Sequence, residues 1–344
     1  MCEPRLAPQG SQKRNGTFML VDVMIPAFNA ADTIGRAVET AMAQREVASV
    51  IVVDDCSTDG TANVVRDVAA GDPRLRLVQF ERNQGPAAAR NHALRLGEAP
   101  FVAMVDSDDW LLPGRFATLL AGQTGWDFMA DNILFIPEQC KTMPLPDAML
   151  ADLADKRRPL GLAEFIDRNI SRPGRKRGEL GFLKPVFRRE LLGLLDLRYA
   201  ENVRLGEDFV LYAKAMARGA RFVLSQRCGY IAIERAGSLS GQHRTADLEA
   251  LHQASLSLAD ESGLSRAERG LLATHAVSIG RKVAHRRFLD RKRDSGLVRA
   301  ISDLASTPRT LARVCLDIIQ DKRAAHSPPS TPQWRLLLDN ADFP

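Results

Sequence analysis

Three carboxylates fall within four positions at Asp106-Ser107-Asp108-Asp109, directly behind the uncharged apolar run Phe101-Val102-Ala103-Met104-Val105. Such a run reads as a strand buried on both faces. In an open parallel sheet, ligands collect outside the carboxyl ends of the strands, which is where these acids fall. Residues two apart in extended backbone point to one side. Asp106 and Asp108 are therefore expected to share a face, with Ser107 turned away. Paired carboxylates suit a hard divalent cation, and Mg²⁺ in particular is held by one or two carboxylates plus substrate phosphates. The plainer alternative is a solvated acidic turn closing the strand. A second acidic pair, Glu207-Asp208, follows Gly206 and opens a helix whose apolar face includes Val210, Leu211 and Ala215. Acids in a first turn commonly answer free N–H groups and the helix dipole.

The elements that carry these groups alternate. Leu20–Ile25 is a strand closed by Pro26, and Ala31–Gln44 is helical with Ile34, Val38 and Ala41 on one face. Ser49–Val53 is a strand ending in Asp54-Asp55-Cys56-Ser57-Thr58-Asp59-Gly60, with a helix behind it to about Ala70. Leu75–Phe80 is a third strand, Gly85-Pro86 opens a helix to Leu96, and Phe101–Val105 is the fourth strand. Strands alternating with helices of this length predict a parallel sheet with right-handed crossovers. Three polar clusters, at Pro26–Asn29, Asp54–Ser57 and Asp106–Asp108, then lie on one rim.

That rim suits a nucleotide, because carboxylates accept hydrogen bonds from ribose hydroxyls and base N–H groups. Neither a G-x-G-x-x-G fingerprint nor a G-x-x-x-x-G-K-[ST] loop follows the first strand, so diphosphate charge must be met by a cation and side chains. Arg90, in Gly85-Pro86-Ala87-Ala88-Ala89-Arg90-Asn91, is the best-placed basic candidate, unless it lies on a solvated helix face.

Bulk composition narrows the class. The 344 residues are 45% hydrophobic and 26% charged, ordinary for a globular protein with a sizeable core. Five scattered cysteines without a C-x-x-C pair point to neither a zinc site nor a disulfide framework, and to a reducing, cytoplasmic setting. The net charge of +5 is mild and predicts no nucleic-acid partner. No apolar run approaches the roughly 18–20 residues of a spanning helix, and no targeting segment is expected. Residues 1–18 read as a floppy tail.

Pro26-Ala27-Phe28-Asn29, Val53–Thr61, Asn83–Asn91 and Asp106–Asp109 together, in this order and spacing, resemble the family 2 glycosyltransferases of GT-A fold over residues 20–116. The resemblance implies an α/β domain over 19–244, with a nucleotide-sugar-binding half (19–120) and an acceptor-binding half (121–244). It implies a nucleotide-diphosphate-sugar donor and Mn²⁺ or Mg²⁺. Pro26, Ala27, Phe28 and Asn29 would line the nucleotide pocket, Asp55 would contact base or ribose beside Asp54, and Arg90 and Ser107 join the donor-binding set. Asp106 would touch ribose or reach the metal through water, and Asp108 would bind the metal directly. Asp208 would be the general base, supported by Glu207. Cys56 departs from a common Gly, and Phe28 from a common Tyr. His243 is a candidate further metal ligand, and Arg244 a candidate diphosphate contact. A metal-assisted departure of the diphosphate with proton removal from the acceptor gives one in-line displacement with inversion.

In the second half, Trp126–Asp131 is expected as a strand and 137–160 as a mobile connection. Ser171–Gly181 reads as a basic loop, either solvated or a lid, and Arg221–Leu224 and Gly229–Ile233 read as two closing strands. Residues 245–344 are mainly helical (about 245–261, 265–293, 296–304 and 307–324) with a loose tail from Ser327, from which Trp334 and Leu336–Leu338 could dock. The cationic stretch 281–293 is either a solvated helix face or a peripheral contact with anionic membrane on the cytoplasmic side. A Q-x-x-R-W signature is absent, which favours transfer of a single sugar. The whole chain is similar to bacterial glycosyltransferases of succinoglycan and related exopolysaccharide assembly. That likeness implies a saccharide acceptor carried on polyprenyl diphosphate, with UDP-glucose as the guess for donor. A sugar-nucleotide pyrophosphorylase would need a glycine-rich loop after the first strand, and a non-catalytic basic adaptor leaves the shared polar rim unexplained.

Overall fold

Runs of Val, Ile, Met and Ala that carry almost no charge fit strands covered on both faces, and three of them, flanked by the half-exposed edge strand Leu75–Gln79, build the parallel half of the sheet. The computed structural model describes residues 13–14, 17–18, 20–121, 124–172, 178–235, 244–304, 312, 314, 316, 318 and 334–343. A two-residue hairpin, β1 (Lys13–Arg14) and β2 (Thr17–Phe18), precedes the main sheet. The parallel strands are β3 (Val21–Ala27), β4 (Val47–Asp54), β5 (Leu75–Gln79) and β6 (Phe101–Met104). Helices α1 (Ile34–Met42), α2 (Thr61–Ala69) and α3 (Pro86–Leu96) connect them. Their spatial order, β5-β4-β3-β6, reverses direction between β3 and β6, which opens a crevice at the carboxyl ends of those strands.

Beyond β6 the sheet becomes mixed. The remaining elements are β7 (Trp110–Leu111), α4 (Arg115–Leu120), β8 (Phe128–Pro137), α5 (Asp147–Ala151), β9 (Arg157–Leu160), α6 (Leu162–Asn169), β10 (Val186–Arg188), α7 (Leu191–Leu194), α8 (Glu207–Ala217) and β11 (Phe222–Glu234). Strand β10 wedges antiparallel between β6 and β8, and β11 runs parallel to β8. The stretch 137–160, read as a mobile connection, contributes β9, antiparallel to β11. The two closing strands are one continuous β11, whose register shifts at Leu224–Cys228 and Cys228–Tyr230 absorb the polar interruption Ser225-Gln226-Arg227.

Three helices follow: α9 (Thr245–Leu258), α10 (Arg266–Ser295) and α11 (Leu297–Leu304). The capping box at Ser265 and Glu268 fixes the start of α10. The predicted helix over 307–324 lies mostly outside the described residues. The tail does dock: β12 (Arg335–Leu336) pairs with β8, and Asn132 both accepts from the Leu338 N–H and donates to its carbonyl, each at 2.8 Å.

One buried ion pair ties the sheet to the site. Arg115 and Asp131 are both buried, and the guanidinium also donates to the Lys184 carbonyl at 2.5 Å. Gly229 on β11 leaves room for this pair, since a Cβ there would stand 2.5 Å from Asp131 Oδ2 and 2.6 Å from Arg115 Cγ. Gly229→Ala is therefore expected to lower the unfolding free energy by about 1–3 kcal/mol through overpacking. A urea midpoint equal to wild type would show that the pair can move aside.

Candidate active site

The carboxyl ends of β3 and β4 form a cross-linked rim. The Asn29 N–H donates to Ser57 Oγ (2.8 Å), the Thr58 N–H donates to Asn29 Oδ1 (2.9 Å), and the Ala31 N–H donates to Asp59 Oδ2 (3.0 Å). Asp54 Oδ1 accepts from the Ser57 N–H at 3.0 Å. Asp55 is buried and accepts from the N–H groups of Gln84 (2.6 Å) and Gly85 (2.7 Å), which locks the loop that opens α3. Asn29 and Cys56 sit at φ +49° and +68°. That left-handed conformation favours Gly, and Cys56 adopts it despite its Cβ. Pro26 and Ala27 close β3, while the Phe28 ring is 51% exposed above the rim.

The acidic turn departs from the sequence expectation. Strand β6 ends at Met104, and Ser107-Asp108 form a turn closed by the Asp109 N–H donating to the Asp106 carbonyl at 3.1 Å. Because the backbone bends here instead of staying extended, the two-residue rule fails. Asp106 turns inward, while Asp108 stands near Arg235, with Nε–Oδ2 at 3.8 Å. Asp109 is buried and structural: it accepts from the Tyr230 hydroxyl (2.7 Å) and the Ile233 N–H (3.0 Å).

Asp106 belongs to a buried charge network that joins four segments distant in sequence. Lys184 Nζ lies 2.9 Å from Asp106 Oδ2 and 2.8 Å from Asp208 Oδ2. Arg90 reaches Asp106 Oδ1 at 3.0 Å and pairs with Glu207. Topology explains the meeting. Val186 on antiparallel β10 is opposite Ala103 on β6, so Lys184, two residues earlier, arrives beside the carboxyl end of β6. Gly206, at φ +73°, turns the chain into α8 and presents Glu207 and Asp208 in its first turn. The N-cap position itself is Gly206, so both acids lie in the first turn of the helix. Both join the network, with Glu207 on Arg90 and Asp208 on Lys184, and they also gain from the helix dipole.

The electrostatics follow from this geometry. Burial would raise the Asp106 pKa, but Lys184 and Arg90 outweigh it and hold the carboxyl well below the usual carboxylate range. Burial alone would lower the Lys184 pKa, and Asp106 and Asp208 instead push it far up. Asp208 Oδ1 is buried without a hydrogen-bond donor, and Arg90 Nε is buried without an acceptor. One oxygen of Asp208 is thus pinned on Lys184 while the other has no hydrogen-bond partner.

A divalent cation fits Asp108 rather than Asp106, whose charge is already answered by two cations. Burial and neighbouring Asp106 raise the Asp108 pKa, and Arg235 compensates only in part, so this carboxylate lacks a full counterion. Among the described residues no group of three or more His, Cys, Asp or Glu side chains converges as a metal cage. Asp108 would therefore hold Mn²⁺ or Mg²⁺ together with donor phosphates and water, the usual pattern for Mg²⁺. His243 lies outside the described residues, as do positions 173–177 of the basic loop. Arg244 is exposed and paired with Asp247 at 2.8 Å.

Lys184 is the residue that sequence reasoning missed. Its signal was present: a lone cation inside Gly181-Phe182-Leu183-Lys184-Pro185-Val186-Phe187, an otherwise apolar run, must find carboxylates when buried.

Comparison with known proteins places this geometry. The profile of the family described as Glycosyl transferase family 2 matches residues 22–156. The chain is 43% identical over 312 residues to the succinoglycan biosynthesis protein ExoU of Rhizobium meliloti (strain 1021), covering 91% of this chain and 90% of ExoU. The chain belongs to the family 2 glycosyltransferases. Among solved structures, the glycosyltransferase resembles S. aureus TarS 1–349 in complex with UDP-GlcNAc, with TM-score 0.56 and 21% identity over 85% of this chain and 83% of TarS. It also resembles the mannosyltransferase PcManGT from Pyrobaculum calidifontis in complex with GDP-Man and Mn²⁺, with TM-score 0.50 and 21% identity over 90% and 81% of the two chains. These likenesses agree with the GT-A fold and its helical C-terminal extension.

Lys184→Met would leave Asp208 without its ion-pair partner and Asp106 with Arg90 alone, and a loss of about 3–5 kcal/mol in unfolding free energy is expected, with Lys184→Arg recovering part of it. The Asp106 pKa is depressed on folding, so its stabilisation is present above the ordinary carboxylate pKa and fades as pH falls below it. The stability gap between wild type and Asp106→Asn, read from urea midpoints, should therefore narrow below about pH 4. A gap that widens on acidification would contradict the ion-pair assignment.

Proposed function

We propose that the glycosyltransferase moves one sugar from a nucleotide-diphosphate sugar, a UDP-hexose, to a saccharide acceptor in exopolysaccharide assembly, with inversion and with Mn²⁺ or Mg²⁺. The observation that carries this reading is the half-committed carboxylate of Asp208, with one oxygen on Lys184 and the other unclaimed, in the same network as the acidic turn. The likeness to ExoU, which is named for succinoglycan biosynthesis, supports an acceptor of the kind extended in exopolysaccharide assembly, an oligosaccharide on polyprenyl diphosphate. UDP-GlcNAc in TarS and Mn²⁺ in PcManGT support the donor class and the metal.

Each residue then has a task set by its position. Phe28 offers a flat ring to the base at the rim, and the loops pinned by Asn29, Asp54 and Asp55 hold the nucleotide walls in place. Asp108 anchors the cation. A bound Mn²⁺ or Mg²⁺ supplies neutralisation of the charge that develops on the departing diphosphate. Asp208 Oδ1 takes the proton from the acceptor hydroxyl as that oxygen attacks the anomeric carbon. Lys184 and Arg90 hold the side chains of Asp106, Glu207 and Asp208 in place through their ion pairs.

Donor turnover measured against a panel of nucleotide sugars with Mn²⁺ tests the reading. Asp208→Asn should lower kcat by about 10²–10⁴-fold with donor KM nearly unchanged. Asp108→Ala should weaken donor and Mn²⁺ binding together. Wild-type kcat in Asp208→Asn would remove that residue from the base role.

A further inference from the structure

We propose that the corner made by the second half of α10 and by α11, where exposed aliphatic side chains stand among unpaired cations, docks the protein on an anionic lipid surface. This goes beyond the catalytic reading and does not depend on it. Residues 281–303 hold eight Lys and Arg against three Asp, an excess equal to the +5 of the whole chain. The cationic character noted in the sequence is thus concentrated in one place, where it can act on a partner.

The structure adds the apolar half of the surface. Leu297, Val298 and Ile301 of α11 are 49%, 84% and 41% exposed. At 3.6 residues per turn they span an arc of about 100°. Ala300 faces the other way and packs with Phe288 and Val314 in a small core of its own, so α11 is held in place with its aliphatic stripe in solvent. Leu316, two residues beyond Val314, is 58% exposed as well. Single exposed aliphatics are ordinary, but a stripe of them on a short fixed helix is not.

Cations on the same two helices are available. Arg281, Arg286, Lys292 and Arg299 are exposed and form no salt bridge among the described residues, while Arg291 pairs with exposed Asp303 (2.7 Å) and Arg293 with exposed Asp294 (2.9 Å) and, more loosely, with Asp290 (3.7 Å). Exposed pairs of this kind give way cheaply to a phosphate. A nucleic acid would engage the arginines and leave Leu297, Val298 and Ile301 in water. A lipid interface takes both at once, with aliphatics below the headgroups and guanidinium and ammonium groups at phosphate level. No helix among the described residues is long and apolar enough to cross a membrane, so the contact is peripheral.

Vesicle co-sedimentation of the full-length chain tests the proposal. Substitution is preferable to deletion, because 281–293 includes the buried Val283 and Phe288. Wild type should pellet with phosphatidylcholine vesicles containing phosphatidylglycerol, bind pure phosphatidylcholine about tenfold less or weaker, and release with added salt. Val298→Asp/Ile301→Asp and, separately, Arg286→Glu/Lys292→Glu/Arg299→Glu should each cut binding by about tenfold or more, with thermal unfolding unchanged. Equal binding to both vesicle types, no binding to either, or wild-type binding by either variant would overturn it. So would single-stranded RNA binding that outcompetes the anionic vesicles.

Discussion

One buried ammonium group holds the centre of this molecule together. Lys184 Nζ is shared by Asp106 at the end of β6 and Asp208 in the first turn of α8. A charge removed from water is tolerated only when partners satisfy it with good geometry. The sheet and α8 must therefore be in register before any of these groups is stable. Arg90 extends the same constraint to α3 and Glu207. Strand order, the antiparallel entry of β10 and the glycine turn at Gly206 are all conditions for this network, and the network in turn fixes the oxygen of Asp208 that is left free.

The rim proposed for the donor is organised by the opposite device. Its polar side chains are spent mostly on backbone N–H groups of neighbouring loops: Asp54 on Ser57, Asp55 on Gln84 and Gly85, Asn29 on Thr58. A wall built this way is rigid before a nucleotide arrives, so less ordering is needed on binding. The left-handed residues Asn29 and Cys56 mark where the chain bends most sharply to bring the two loops together.

Much of this was legible in the sequence because the signals are local. The parallel strands announce themselves as apolar runs, and the acidic and polar motifs follow them directly, so both the α/β class and the rim could be read off. The network was not legible, because its pairs are separated by 78 positions between Lys184 and Asp106, and by 117 between Arg90 and Glu207. Sequence periodicity carries no record of such encounters. The turn at Asp106–Asp109 was misjudged for a related reason. It is set by Tyr230 and Ile233, which draw Asp109 inward from β11. Likewise β11 reads as two strands until a bulge joins them, and the final strand at Arg335–Leu336 depends on an edge of β8 that only the folded sheet supplies.

The most direct measurement is a double-mutant cycle on Lys184 and Asp208, read as the single-turnover rate of sugar transfer per folded molecule. If Lys184 serves the reaction by orienting the base, Lys184→Met lowers the rate at least about tenfold in the wild-type background and less than about twofold once Asp208 is Asn. An equal reduction in both backgrounds would mean that Lys184 acts independently of Asp208, and would contradict the shared ammonium as the device that prepares the proposed base.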